Sequence, residues 1–224
     1  MPFGLNAVLA VLCASFPKNF SNERMISNNL PTPLILGSTS PFRRELMQRL
    51  RLPFTTAAPD IDETRHTGES PTAMVQRLSL EKAQAVAATH PNSLVIGSDQ
   101  CAVLGEQVIG KPHTHANAVA QLQAAAGQTV RFLTGLCLYD GRDGSYQLEV
   151  VPFDVTFREL TLAEIDSYLH QEQPYNCAGS FKSEGLGVTL FQRMQGDDPT
   201  ALIGLPLIRL CAMLRTLNIS PLGT

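Results

Sequence analysis

A chain of 224 residues with 44% hydrophobic and 17% charged side chains can build one sizeable core and is too apolar for disorder. A formal net charge of −3 gives no global attraction for DNA or RNA, which argues against a polynucleotide partner; a small anionic ligand needs only a local cluster of cations. Cys13, Cys101, Cys137, Cys177 and Cys211 are odd in number, far apart and never spaced as CxxC, so a paired zinc site and a disulfide framework are set aside and a reducing, cytoplasmic setting is expected.

Residues 5–16 form an apolar run that resembles a signal segment, but no lysine or arginine precedes it and it is too short to span a bilayer. Leu12 stands where a lipoprotein would need a small residue before Cys13. Residues 1–32 therefore read as a disordered leader, with a functional start near Met25 and no membrane partner. A chain starting at Met25 is expected to melt and turn over like the full one. The domain is assigned to residues 33–219.

Beyond Pro33, short apolar runs alternate with amphipathic ones, the pattern of an α/β domain. Residues 34–37 read as a buried strand. Ser38, Thr39, Ser40 and Pro41 make a turn and a helix start, and the helix runs to about Arg51. A second strand covers 54–58, and an acidic loop covers 59–64. Ser70 and Pro71 open a long helix that ends near Pro91. Residues 94–97 form a strand ending at Ser98-Asp99-Gln100. A turn at 110–112 leads to a helix over 114–126, closed by Gly127. His113 and His115 sit at its entry with no third ligand near them in sequence, so they read as solvated rather than metal-binding. Long strands at 130–139 and 148–157 flank a hairpin signal at 140–144. A helix at 161–171, a Gly-rich loop at 179–187, a strand at 188–192 and one closing helix at 199–217 complete the chain.

Four groups of residues bear chemistry. In Gly37-Ser-Thr-Ser-Pro-Phe-Arg-Arg44, free N–H groups at a helix start, the hydroxyls of Ser38 and Ser40 and the guanidinium of Arg43 suit a phosphate. The Walker pattern is absent, and a capped surface helix with solvated arginines is the plain alternative. Lys82 shares a helical stripe with Val75, Leu78 and Val86, so it either snorkels to solvent or aims a cation at a ligand or carboxylate. Asp99, at the end of a central strand, could hold a metal or accept a proton from water, or simply cap a turn; Lys111 is a second lysine in a constrained turn. Asp60, Asp62 and Glu63 offer hard oxygens for magnesium or manganese, although most acidic loops are only solvated. Together these are the parts for metal-assisted hydrolysis of a phosphoanhydride.

With Asp62-Glu63, Glu81-Lys82-Ala83, Gly97-Ser-Asp99, Gly110-Lys-Pro112 and Ala178-Gly-Ser-Phe181, the first motif forms an ordered set that resembles the Maf-like nucleoside triphosphate pyrophosphatases, from about Pro33 to Leu217. The resemblance implies a mixed α/β fold, with an elongated central sheet flanked by helices and a cleft between two lobes. It also implies a nucleotide substrate cut to monophosphate and diphosphate, and a divalent cation (Mg, Mn or Co). Ser38, Ser40, Arg43, Lys82 and Lys111 would hold the phosphates, Glu63 and Asp99 the metal, and Asp99 would be the proton acceptor. A homodimer is compatible with it.

Phe42, Gln100 and Glu184 resemble the branch of the family that prefers 7-methyl-GTP, where pyrimidine-specific members carry arginine and glutamine in place of the first and last. An aromatic face suits a cationic methylated guanine, although Phe42 could instead pack as a staple on its own helix. A dTTP or UTP pyrophosphatase, and a nucleotide-binding regulator of cell division with little turnover, are the competing readings.

Overall fold

The computed structural model describes residues 30 and 32–223. Met25 and the rest of the leader apart from Leu30 and Thr32 lie outside the described residues. Those two are not disordered: Leu30 packs on the core, and Thr32 is buried with its Oγ1 accepting from Arg142 at 3.1 Å, so the ordered domain reaches back to them. In chain order the elements are β1 (Leu34–Gly37), α1 (Pro41–Arg49), β2 (Thr55–Ala57), α2 (Pro71–Thr89), β3 (Leu94–Leu104), β4 (Gln107–Ile109), α3 (His115–Ala125), β5 (Thr129–Asp140), β6 (Tyr146–Phe157) and α4 (Leu162–Glu172). Short 3-10 turns at Ala178–Ser180 and Leu186–Leu190 lead to β7 (Phe191–Gln195), α5 (Pro199–Ile203) and α6 (Leu207–Thr216).

The strands form one mixed sheet in the order β2-β1-β3-β5-β6-β7, with β4 beside the far half of β3. β1 runs parallel to β2 and β3, and all its side chains are buried, as an unbroken apolar strand covered on both faces requires. From β3 onward every pairing is antiparallel. This is the mixed, helix-flanked α/β sheet expected.

Alternation along the strands separates the core. Leu34, Leu36, Leu94 and Ile96 pack with Leu46 of α1 and Leu210 and Leu214 of α6. Ile35 and Val95 join Ala83 and Val86 of α2 instead. A further cluster joins α3 and α4 to Phe132, Phe153 and Phe157. The cleft lies between the α1/α6 cluster and the α3/α4 cluster, and takes Ile203 from the edge of one and Phe132 and Phe181 from the other.

α2 lies flush on the sheet because two glycines let it. A methyl group on Gly97 would stand 2.1 Å from the Ser79 carbonyl oxygen, and one on Gly135 would stand 2.3 Å from that of Val75. Its N-terminus is capped by Ser70, whose Oγ accepts from Ala73 N, with Pro71 in the first turn.

The sequence reading needs four corrections. β3 does not stop at residue 97 but continues to Leu104, because its far half gains β4 and β5 as antiparallel partners. Asp99 is therefore inside a strand, two positions beyond the last β1 pairing, Gly37 with Gly97. β4 was not foreseen. The strand placed at 188–192 is largely a 3-10 turn, and β7 begins at Phe191. The closing helix is broken into α5 and α6, since Gly204 adopts φ 120° and Pro206 has no N–H to continue a helix.

Candidate active site

A cleft of about 670 Å³ opens at the carboxyl end of the parallel β1–β3 pair. Ser38, Ser40, Phe42, Arg43, Glu63, Lys82, Asp99, Gln100, Lys111 and Glu184, from six separate stretches of chain, all line it. Asp60 and Asp62 of the acidic loop do not; Asp62 instead accepts from Thr64 N at 2.9 Å, and hydrogen bonding from the Thr64 hydroxyl and then from its N–H lowers the carboxyl pKa.

The turn after β1 is tightly built. Ser38 Oγ accepts from Ser40 N at 3.1 Å, and Ser40 caps α1 by accepting from Arg43 N at 3.4 Å. Arg43 is half-buried, and its Nε donates to the Gly204 carbonyl at 2.7 Å. Burial lowers its pKa, while Asp99 and Glu63 pull it back up. A guanidinium keeps its charge in proteins, so Arg43 brings a fixed cation to the cleft lining.

Lys82 resolves in favour of the inward-facing cation. It is only 5% exposed, and its Nζ donates to Asp99 Oδ1 at 2.6 Å and pairs with Glu63 Oε1 at 3.0 Å. Helix α2 thus delivers an ammonium between two carboxylates, one from β3 and one from the acidic loop. Asp99 is fixed from behind as well: its N–H donates to Ser79 Oγ at 2.9 Å, and that hydroxyl donates to the Val75 carbonyl. The acidic loop is anchored by Arg77, which bonds both oxygens of Glu69 and the Thr64 carbonyl.

This centre suits a divalent cation. Two carboxylates converging on one positive charge are hard oxygen donors of the kind that hold magnesium or manganese together with substrate phosphates. Glu63 is exposed and can follow a ligand, whereas Asp99 is fixed.

The same cleft is lined by the residues that could meet a base. Phe42 is half-buried, lines the cleft and belongs to none of the apolar clusters among the described residues. Gln100 Nε2 is within reach of three acceptors: the Ala201 carbonyl at 2.7 Å, the Leu202 carbonyl at 3.1 Å and Thr134 Oγ1 at 3.0 Å. Its amide nitrogen is committed to α5, which leaves its carbonyl oxygen as an acceptor. Glu184 and Lys111 also line the cleft, and both are exposed.

Two contributors were missed from sequence. The Gly204 carbonyl, freed by the break between α5 and α6, accepts from both Arg43 and Ser98 Oγ; glycine followed two residues later by proline was the available signal. Glu172, at the end of α4, accepts from Leu186 N at 2.8 Å and from Lys182 Nζ at 3.3 Å, so it ties down the loop that carries Glu184. Gly185 passes so close that a methyl group there would stand 2.7 Å from Glu172 Oε2. No local pattern announces this contact.

The chain was compared with known proteins. A protein from Nitrosococcus oceani named 7-methyl-GTP pyrophosphatase is 58% identical over 190 residues, which cover 83% of this chain and 96% of that protein. One from Pseudomonas fluorescens with the same name is 60% identical over 182 residues, 81% of this chain and 95% of its own length. A third, from Cupriavidus metallidurans, is 57% identical and covers 85% and 96%. The profile described as Maf-like protein matches residues 33–217. With the motif residues gathered in one cleft and relatives of this identity along nearly their whole length, the chain belongs to the Maf-like protein family.

Proposed function

We propose that this chain hydrolyses 7-methyl-GTP to 7-methyl-GMP and diphosphate. The observation that carries the reading is the meeting of two sets of residues in one cleft: the Ser38–Arg43 turn with the Lys82–Asp99 pair, and Phe42 with Gln100 and Glu184. The names of the relatives from Nitrosococcus oceani and Pseudomonas fluorescens support the same substrate.

In this reading Ser38, Ser40, Arg43, Lys82 and Lys111 hold the triphosphate. Lys82 occupies Asp99 Oδ1 and orients the carboxylate, so the second oxygen is the one that takes the proton of the attacking water. Water adds at the α-phosphorus, the bond to the bridging oxygen breaks, and diphosphate leaves. A magnesium, manganese or cobalt ion held by Glu63 and Asp99 would neutralise charge gathering on the phosphate oxygens. The Phe42 ring offers a face to the cationic base. The Gln100 carbonyl oxygen and the Glu184 carboxylate are acceptors, matched to the N–H groups on the guanine edge and mismatched to pyrimidine carbonyls. The proposed setting is the cytoplasm; among the described residues no helix is long and apolar enough to cross a membrane.

The test is kcat/KM for 7-methyl-GTP, GTP, dTTP and UTP, with inorganic pyrophosphatase added so that phosphate release reports turnover. The methylated guanine should lead plain GTP by roughly 0.5–2 kcal/mol. Phe42→Arg should erase that lead, and adding Glu184→Gln should move preference toward dTTP or UTP. A wild type that prefers dTTP or UTP would assign it to pyrimidines, and a protein that binds nucleotides without turnover would be a regulator.

A further inference from the structure

The pair His113 and His115, read as solvated from sequence, separates in the structure. His115 opens α3 and meets Asp166 and His170, one turn apart on α4. His115 Nε2 lies 2.9 Å from Asp166 Oδ1, and His170 Nδ1 lies 3.3 Å from Asp166 Oδ2. The two imidazole rings are 4.9 Å apart. Packing of α4 on α3 supplies two partners for His115 that the neighbouring sequence lacks, and His113 is not among them.

The protons matter here. The Tyr175 hydroxyl lies 3.4 Å from the Leu169 carbonyl and 3.1 Å from His115 Nδ1. A hydroxyl that donates to that carbonyl accepts from Nδ1–H, which leaves the Nε2 lone pair facing a carboxylate oxygen. Likewise His170 Nδ1, 2.8 Å from the Asp166 carbonyl, carries its proton there and leaves its own Nε2 bare. Each imidazole then keeps one nitrogen lone pair beside the Asp166 carboxylate's helix, and turning the His170 ring brings its free nitrogen into a set that a cation would satisfy. In the competing arrangement His115 Nε2–H donates to Asp166 and no ion is needed.

We infer that His115, Asp166 and His170 form a second metal site, separate from Glu63 and Asp99, for a divalent transition ion of the zinc, cobalt or nickel type. Imidazole selects such ions over magnesium. One ligand atom from each residue already lies within 4.8 Å of the others. Tetrahedral bonds of about 2.0–2.1 Å set ligand atoms roughly 3.4 Å apart, so side-chain rotation over about an ångström closes the set. The side chains are 37%, 56% and 68% exposed, which gives an ion direct entry and leaves room for water as a fourth ligand. Tyr175 is the outer group that orients His115.

The site would staple α3 to α4 behind the cleft. The Tyr175 carbonyl accepts from His113 N at 3.0 Å, so the staple adjoins both the Lys111 turn and the segment with Asn176 and Cys177, all on the cleft wall.

The inference does not depend on the nucleotide reading, and its test uses metal alone. Zinc or cobalt(II) is added to the intact, nucleotide-free protein in excess magnesium, which occupies hard oxygen sites. Wild type should bind one equivalent more than the His115→Gln, His170→Gln double variant, and its cobalt form should show a visible band that the double variant lacks. Asp99→Asn should retain that equivalent, and Tyr175→Phe should weaken it about tenfold or more. Should the double variant fold poorly, His170→Gln alone changes only the most exposed ligand and repeats the comparison. Equal stoichiometry in wild type and variant, or loss of the equivalent in Asp99→Asn, would overturn the site and leave a hydrogen-bonded cluster without metal.

Discussion

An ammonium at 5% exposure is costly unless its charge is answered, and Lys82 is answered twice, by Asp99 and by Glu63. The pairing fixes which oxygen of Asp99 remains for chemistry. Asp99→Asn preserves an acceptor for Lys82 but removes the base. It should keep the fold and nucleotide binding while kcat falls on the order of 10²–10⁴-fold, measured by phosphate release and by nucleotide titration. A kcat near wild type would remove Asp99 from the role. Helical spacing put Lys82 on the apolar face but left its direction open, because snorkelling and inward pairing share one sequence pattern. Gln100 was legible as a cleft residue only from its neighbour Asp99 and from family resemblance. The carbonyls that take its amide hydrogens come from residues 201 and 202, about a hundred positions away, and no local signal reaches that far.

Elements position these groups through their ends. The acidic loop holds Glu63 because the turn before α2 is clamped by Glu69 and Arg77, and the Arg77 guanidinium holds the Glu69 carboxyl at about 2, against an ordinary 4.5. A carboxyl depressed by folding stabilises above its unfolded pKa and loses that contribution as pH falls toward the folded value. The stability gap between wild type and Glu69→Gln should therefore be constant above about pH 5 and close as pH falls from 4.5 to 2. Denaturant midpoints across this range check it, and a gap that does not change with pH would show the ion pair to be inert. The α2 boundaries were readable because Ser70 and Pro71 are strong start signals. β4 and the far half of β3 were not, since short strands of this kind owe their state to sheet partners rather than to their own periodicity.

For the molecule as a whole, the alternation of apolar and amphipathic segments was enough to identify an α/β domain; the mixed sheet, and the gathering of the motifs at one site, came from the family resemblance. Depth of packing was not legible, because it depends on what a glycine faces. Gly97 and Gly135 let α2 touch the sheet, and through that contact Lys82 reaches Asp99. Gly97→Ala sets a methyl against the Ser79 carbonyl, a backbone atom that cannot rotate away, so the helix must lift. Overpacking of this kind costs about 1–3 kcal/mol. The expected drop in Tm is roughly 2–4 °C per kcal/mol for a domain of this size, with a parallel loss of kcat as Lys82 and Asp99 separate. A variant that melts and turns over like wild type would show that α2 tolerates the lift.

The bond from Arg43 to the Gly204 carbonyl joins positions 161 apart in sequence. A ribosome makes the phosphate turn long before its anchor. Until residue 204 has emerged, Arg43 lacks the acceptor that fixes it, whereas Ser98 already has the Gly135 carbonyl at 2.8 Å. The cleft is therefore finished only once the break between α5 and α6 has been made. A nascent chain, or one cut short before the break between α5 and α6, would carry every motif of the site and still lack the means to hold them in register.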